Sequence, residues 1–185
     1  MNSQATFEIR SSRFDETLFQ EFGHVHAAKE QWPVVYLLST EETREAYVGE
    51  TTDTYSRMRA HLRSEKKVRL TTVHLITSTK FNKSATLDLE SNLIKYLAGD
   101  GYYSLQNGNL GLANHNYFQK KELYWGMFRD IWNKLREEGI SRHSIEYIEN
   151  SDLFKYSPYK SLSKDQKDGL KVMIKNLLNG YSSGL

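Results

Sequence analysis

The chain has 185 residues, a formal net charge of +2, no cysteine and only two prolines. That length suits one compact domain, or a small domain with an extension, and the lack of cysteine excludes disulfides and thiolate metal sites. No apolar run approaches the roughly 20 residues of a membrane span and the N-terminus has no signal-like apolar stretch, so a soluble cytoplasmic protein is expected.

Residues 1–12 read as a loose arm with a short strand at Thr6–Ile9. Ser12 is placed to cap a helix, with Asp15 at the capping-box position, and Leu18, Phe19, Phe22 and His26 follow at helical spacing. His24 and His26 are two apart, which keeps them off one helical face and argues against a metal pair. Trp32-Pro33 closes this lead-in, because proline opens a strand but does not continue a helix.

Val34–Ser39 is apolar and β-branched, Ser39–Glu45 is polar, and Glu45–Gly49 is a second short β-type run. The pair predicts a hairpin whose first strand is the more buried. Thr52 or Asp53 then caps a helix in which Tyr55, Met58 and Leu62 share the core face. Thr54, Arg57, His61 and Ser64 fall on an adjacent face, with Arg57 and His61 side by side. Arg59, Arg63, Lys66, Lys67 and Arg69 follow as a basic cluster, which reads either as a solvated helix end or as contacts to nucleic-acid phosphates.

Leu70–Thr79 is the third predicted strand, with Val73 and Leu75 on one face and Thr72, His74 and Ile76 on the other. His74 reads as a satisfied sheet histidine, with a site-lining role as the alternative. Ser84 caps a second helix that Gly99 ends, and its core face carries Thr86, Glu90, Leu93, Ile94 and Leu97. Glu90 is the anomaly of that face. An unpaired buried carboxylate is costly, so Glu90 requires a metal, hydrogen bonds or a cation such as Arg57.

Gly101–Gly111 is turn-rich. Phe118–Glu138 reads as a long helix with a wide aromatic face, of core or docking type, ended by Gly139. Ser141–Tyr159 is mixed, with a turn at Ser157-Pro158. Ser163 caps a last helix carrying Leu170, Met173, Ile174, Leu177 and Leu178 on its apolar side. The whole predicts an α+β fold: a small, mostly antiparallel three-stranded sheet flanked by helices, with an N-terminal helix and a helical C-terminal extension. The expected divisions are 1–32, 33–112 and 113–185, the last leading toward a further domain. No Walker motif is present, so the chain itself offers no ATPase site.

The motifs Val34-Val35-Tyr36 and Tyr47-Val48-Gly49, with Arg57 ten residues after the second tyrosine and His61 beyond it, resemble the GIY-YIG nuclease family. The first motif departs from the family pattern, carrying Val-Val where Gly-Ile is usual. The resemblance spans about residues 33–110. It implies a divalent-metal-dependent endonuclease acting on DNA, with one Mg²⁺ or Mn²⁺ held by Glu90. It further implies that Asn107 braces the site, with Asn109 as a rival. Residues 157–178 look like the lead-in to a second domain, and are similar to bacterial chains in which such a domain precedes a P-loop, helicase-like ATPase.

The chemistry asks for an in-line water, a base, and positive charge near the phosphoryl oxygens. Arg57 suits the phosphate better than a lysine would, through its fixed charge and forked donors. Tyr36 is the family's favoured base and Tyr47 its partner, but a tyrosine ionises near pH 10 and serves only if nearby cations lower that value. His61 would shuttle a proton or bind phosphate. Two other readings stand beside the nuclease: a non-cutting nucleic-acid or partner-binding module of the same fold, and a linker whose aromatic helix recruits an ATPase.

Overall fold

The computed structural model describes residues 7–108, 117, 119–156, 169–170 and 172–176. Strand β1 (Glu8–Arg13) leads into short helices α1 (Leu18–Glu21) and α2 (His26–Lys29), joined by a 3₁₀ turn at Phe22–His24. The hairpin β2 (Val34–Thr40) and β3 (Glu45–Thr51) is followed by α3 (Thr54–Leu62) and β4 (Thr72–Thr77). Helix α4 (Lys83–Asp100) precedes the short β5 (Ser104–Leu105). A π-helical turn at Lys120–Tyr124 runs into α5 (Trp125–Glu137), and α6 (Ile145–Asn150) and α7 (Asp152–Tyr156) follow.

The sheet has five strands, not three, in the order β1-β4-β2-β3-β5. The three predicted strands are its centre; β1 adds antiparallel to β4 and β5 adds parallel to β3, which makes the sheet mixed. All seven residues of β2 are buried, as suits a central strand covered on both faces.

Two cores lie on the two faces. Val35, Leu37, Val48 and Ile76 pack against α4 and α5, and Val34, Leu38, Val73 and Leu75 pack against α3 and the N-terminal helices. The aromatic face of α5 belongs to the first core: Phe128, Ile131 and Trp132 are fully buried, and the Phe128 and Trp132 rings lie 5.1 and 5.9 Å from Tyr96 on α4. That face is covered by the protein itself.

Several boundaries differ from the sequence reading. Ser12 caps no helix; it lies buried in β1, while Ser11 bonds His74 on β4, so strand pairing takes residues whose local preference is for a cap. Asp15 assumes the turn role instead, accepting from the Thr17 amide at 2.8 Å. Asn82, not Ser84, caps α4, accepting from the Ala85 amide at 2.9 Å. Gly99 does not end that helix. A Cβ there would meet Ile148 at 2.8 Å, so this glycine lets α6 approach α4, and Gly101 (φ 71°) makes the left-handed exit.

Gly139 (φ 76°) follows α5 as expected. Leu170, Met173 and Ile174 are exposed within described helical backbone. Thr6, Asn109, Phe118, Ser157-Pro158, Ser163, Leu177 and Leu178 lie outside the described residues. Among the described residues no helix is long and apolar enough to cross a membrane.

Candidate active site

The site begins with the β2–β3 register, which sets Tyr36 opposite Gly49. A Cβ on Gly49 would stand 2.2 Å from the Tyr36 hydroxyl and 2.3 Å from Cζ, so the phenol lies across the space a side chain would fill. Only glycine fits there. This is the physical content of the Tyr-Val-Gly motif: the glycine seats the tyrosine of the other strand.

Asp53 caps α3 by accepting from the Ser56 amide at 3.0 Å, and α3 brings His61 over the same sheet face. The Tyr36 hydroxyl and His61 Nε2 are 2.8 Å apart. Burial first, then the charges of Arg57 and Lys67, push the His61 pKa down to about 4, so the ring is neutral at pH 7. In the tautomer protonated at Nδ1, Tyr36 donates to Nε2. The Tyr47 ring stands edge-on to His61 at 5.3 Å and lies 6.3 Å from the Tyr36 ring.

The buried face of α3 is wider than its spacing predicts: Thr54, Met58 and His61 are buried, while Tyr55 and Leu62 are half-buried. Arg57 stays exposed, with no ion pair among the described residues. Its charge nevertheless reaches Tyr36, Tyr47, His61 and Glu90, lowering the pKa of each. Both phenols are held above the ordinary tyrosine value, first by burial, with Tyr47 next for Tyr36; Arg57 opposes burial in both.

Glu90 comes from α4 on the opposite face, next to the end of β3. Burial, then the neighbouring Glu50 charge, push its pKa up to about 7, against the pull of Lys83 and Arg57. No salt bridge to Arg57 satisfies it. Glu50 itself is gripped by Lys83 Nζ at 2.5 and 2.6 Å and accepts from the Thr86 hydroxyl at 3.3 Å. Glu50 and Lys83 were missed in the sequence, although strand alternation from Ala46 and Val48 puts Glu50 on the α4 side. Among the described residues no cluster of three or more His, Asp or Glu could cage a metal.

Asn107 braces the strand. Its Oδ1 accepts from the Val48 amide at 3.0 Å and its Nδ2 donates to the Val48 carbonyl at 2.8 Å. The side chain thereby continues, past the end of β5, the pairing that Ser104 and Leu105 make with β3.

The basic cluster divides. Arg63, Lys66 and Arg69 are exposed, Arg59 lies over the Phe19 ring at 5.1 Å, and Lys67 is drawn inward over Tyr47. His74 is not in the site. It is buried between Ser11 and Ser39, at 2.7 and 3.2 Å, as a satisfied sheet histidine. His24 and His26 are both exposed, and His26 pairs with Glu30. A cavity of about 590 Å³ beside Lys80, Gln119, Leu123 and Tyr124 takes in none of the site residues.

Two tyrosines and a neutral histidine thus meet around the Tyr36–Gly49 contact, and the charges of Arg57 and, from the α4 side of the sheet, of Glu90 reach both phenols. Residues 33–102 match the GIY-YIG catalytic domain. GIY-YIG domains are in general nucleases that act on DNA. The match takes in Tyr36, Tyr47, Arg57, His61 and Glu90; Asn107 lies just beyond it. The Val-Val departure in the first motif falls on Val34 and Val35, both fully buried, one on each face of the sheet, and leaves the tyrosine in place. No curated protein and no solved structure matches the chain.

Proposed function

We propose that this protein is a divalent-metal-dependent endonuclease that hydrolyses DNA phosphodiester bonds in the cytoplasm. The observation that carries the reading is the free guanidinium of Arg57, whose field reaches both phenols, His61 and Glu90 at once. A scissile phosphate beside Arg57 would find paired donors for its oxygens, and water approaching it would meet the half-buried Tyr47 rather than the fully buried Tyr36. His61, neutral at pH 7, accepts the Tyr36 hydrogen bond and so fixes the direction in which that phenol points. Asn107 holds the backbone between Tyr47 and Gly49, so the second phenol keeps its place.

A hard divalent cation fits Glu90: a half-buried carboxylate beside a second carboxylate is short of positive charge. One Mg²⁺ or Mn²⁺, keeping most of its water, would polarise the phosphate and stabilise the leaving oxygen. Arg63, Lys66 and Arg69 are exposed as backbone contacts would require, and Arg59 is within reach of the same row. Any association with a helicase-like ATPase would fall to the exposed Leu170, Val172, Met173 and Ile174, because the apolar face of α5 is already used.

The raised pKa of both tyrosines favours one other reading, a domain that binds DNA without cutting it. Plasmid and branched DNA incubated with Mg²⁺ or Mn²⁺, against EDTA and against Glu90→Gln, separates the two. Cutting that needs both the ion and Glu90 establishes the nuclease. Binding with no cutting under any of these conditions favours the second reading.

A further inference from the structure

Lys67 lies beyond α3, in the turn before β4, and by sequence is one more cation of a basic row. The structure treats it differently from its neighbours. Its Nζ stands 3.2 Å from the centre of the Tyr47 ring and donates to Gln106 Oε1 at 3.1 Å. Gln106 also donates through Nε2 to the Lys66 carbonyl at 3.3 Å, and its backbone amide donates to the Ala46 carbonyl at 2.8 Å. One glutamine therefore ties the lysine turn to the strand that carries Tyr47. It stands next to Asn107, which grips the following part of the same strand.

A lysine meant for DNA phosphate keeps its ammonium in water and its stem mobile. Lys67 is half-buried, and none of the described carboxylates forms an ion pair with it. Burial, then Lys66, push its pKa down to about 8, as expected of a cation that lacks a counter-charge. The group it rests on supplies that counter-charge only when the phenol ionises.

We propose that Lys67 is a positioning residue of the reaction centre, held by Gln106 so that it orients the Tyr47 ring and stabilises its phenolate. The inference rests on the phosphodiester-hydrolysis reading. In the step concerned, the phenolate oxygen takes a proton from water as the water oxygen forms its bond to phosphorus. The opposite P–O bond breaks, and the leaving oxygen departs with the electron pair and is protonated by solvent.

The test reads the phenol directly. A multiply fluorinated tyrosine at position 47, acidic enough to ionise while Lys67 still carries its charge, is titrated by ¹⁹F NMR in metal-free protein. Lys67→Met should raise the midpoint by about one unit, Lys67→Arg should keep it near the wild-type value, and Gln106→Leu should fall between. The acid limb of the pH profile of kcat should move in the same order, while metal-free DNA affinity and its salt slope stay near wild type.

An unchanged midpoint in Lys67→Met and Gln106→Leu, with a salt slope reduced by about one, would make Lys67 a phosphate contact and overturn the proposal. If Lys67→Met does not fold, Gln106→Leu decides, since it leaves the lysine in place. A protein that shows the midpoint shift but never cuts DNA retains the Lys67–Tyr47 coupling and refutes the nuclease reading instead.

Discussion

Replacing Glu90 by glutamine should make the metal-free protein more stable at alkaline pH. The Glu90 pKa rises from 4.5 to about 7 on folding, so the folded state resists its ionisation. A raised folded pKa contributes stability below the unfolded value and loses it as pH rises through the folded one. Below pH 4.5 glutamate and glutamine are both neutral, and the two proteins should melt together. Above about pH 7 wild type carries a half-buried charge.

The full shift corresponds to about 3 kcal/mol at 1.4 kcal/mol per pH unit, and partial solvation reduces this to about 1–2 kcal/mol. For a chain of this size that is a melting-temperature difference of about 3–6 °C. Calorimetry at pH 5 and pH 8 in EDTA measures it, with Mg²⁺ added in a second series. The ion should raise wild type at pH 8 and leave Glu90→Gln unmoved. A glutamine variant equal to or less stable than wild type at pH 8 in EDTA would refute the claim that Glu90 is an under-compensated carboxylate.

Gly49→Ala forces a Cβ into the Tyr36 phenol and should cost about 1–3 kcal/mol, read by urea denaturation, with loss of the Tyr36–His61 bond seen in the histidine ring resonances. His61 and His74 are both held near pKa 4, below the ordinary value of 6.5. Because a depressed folded pKa gives stability that is lost on acidification, the unfolding free energy read by urea denaturation should fall as pH drops from about 6.5 toward 4, by up to about 3 kcal/mol for each histidine. Asn107→Ala removes both bonds to Val48 and should cost about 1–3 kcal/mol, with faster amide exchange at Val48. Arg57→Ala should leave stability within about 0.5 kcal/mol because the side chain is exposed, yet reduce DNA cleavage by at least about 100-fold.

The centre of the fold is legible because its signals are periodic. Val34–Thr40 can only be a strand covered on both faces, and Thr86, Glu90, Leu93 and Leu97 share a helical face whatever surrounds them. Both edge strands escape such reading. Ser11 and Ser12 favour a cap by local chemistry, and only β4, more than fifty residues away, turns them into strand. Strand β5 has two residues and depends on β3 for its existence. In the site, the ordered set of Tyr36, Tyr47, Arg57, His61 and Glu90 is visible in the chain. What each side chain touches is not. Lys67 looks like its neighbours until Gln106 draws it over Tyr47, and Glu50 looks like a strand-end acid until Lys83 closes on it. Both outcomes are set by partners distant in sequence.

The seating of Tyr36 against Gly49 also makes the hairpin proofread itself. Slide β3 by one residue and the phenol meets Val48 or Glu50, neither of which leaves room for a ring. Chains whose 41–44 turn closes in the wrong register therefore cannot bury that tyrosine, and they also lose the partner of His61. A register error thus also dismantles the candidate site, so a preparation in which Tyr36 is buried is one in which the hairpin has closed correctly. Insertions in the 41–44 turn should then leave two populations, one with Tyr36 buried against Gly49 and one with it exposed, with nothing between them.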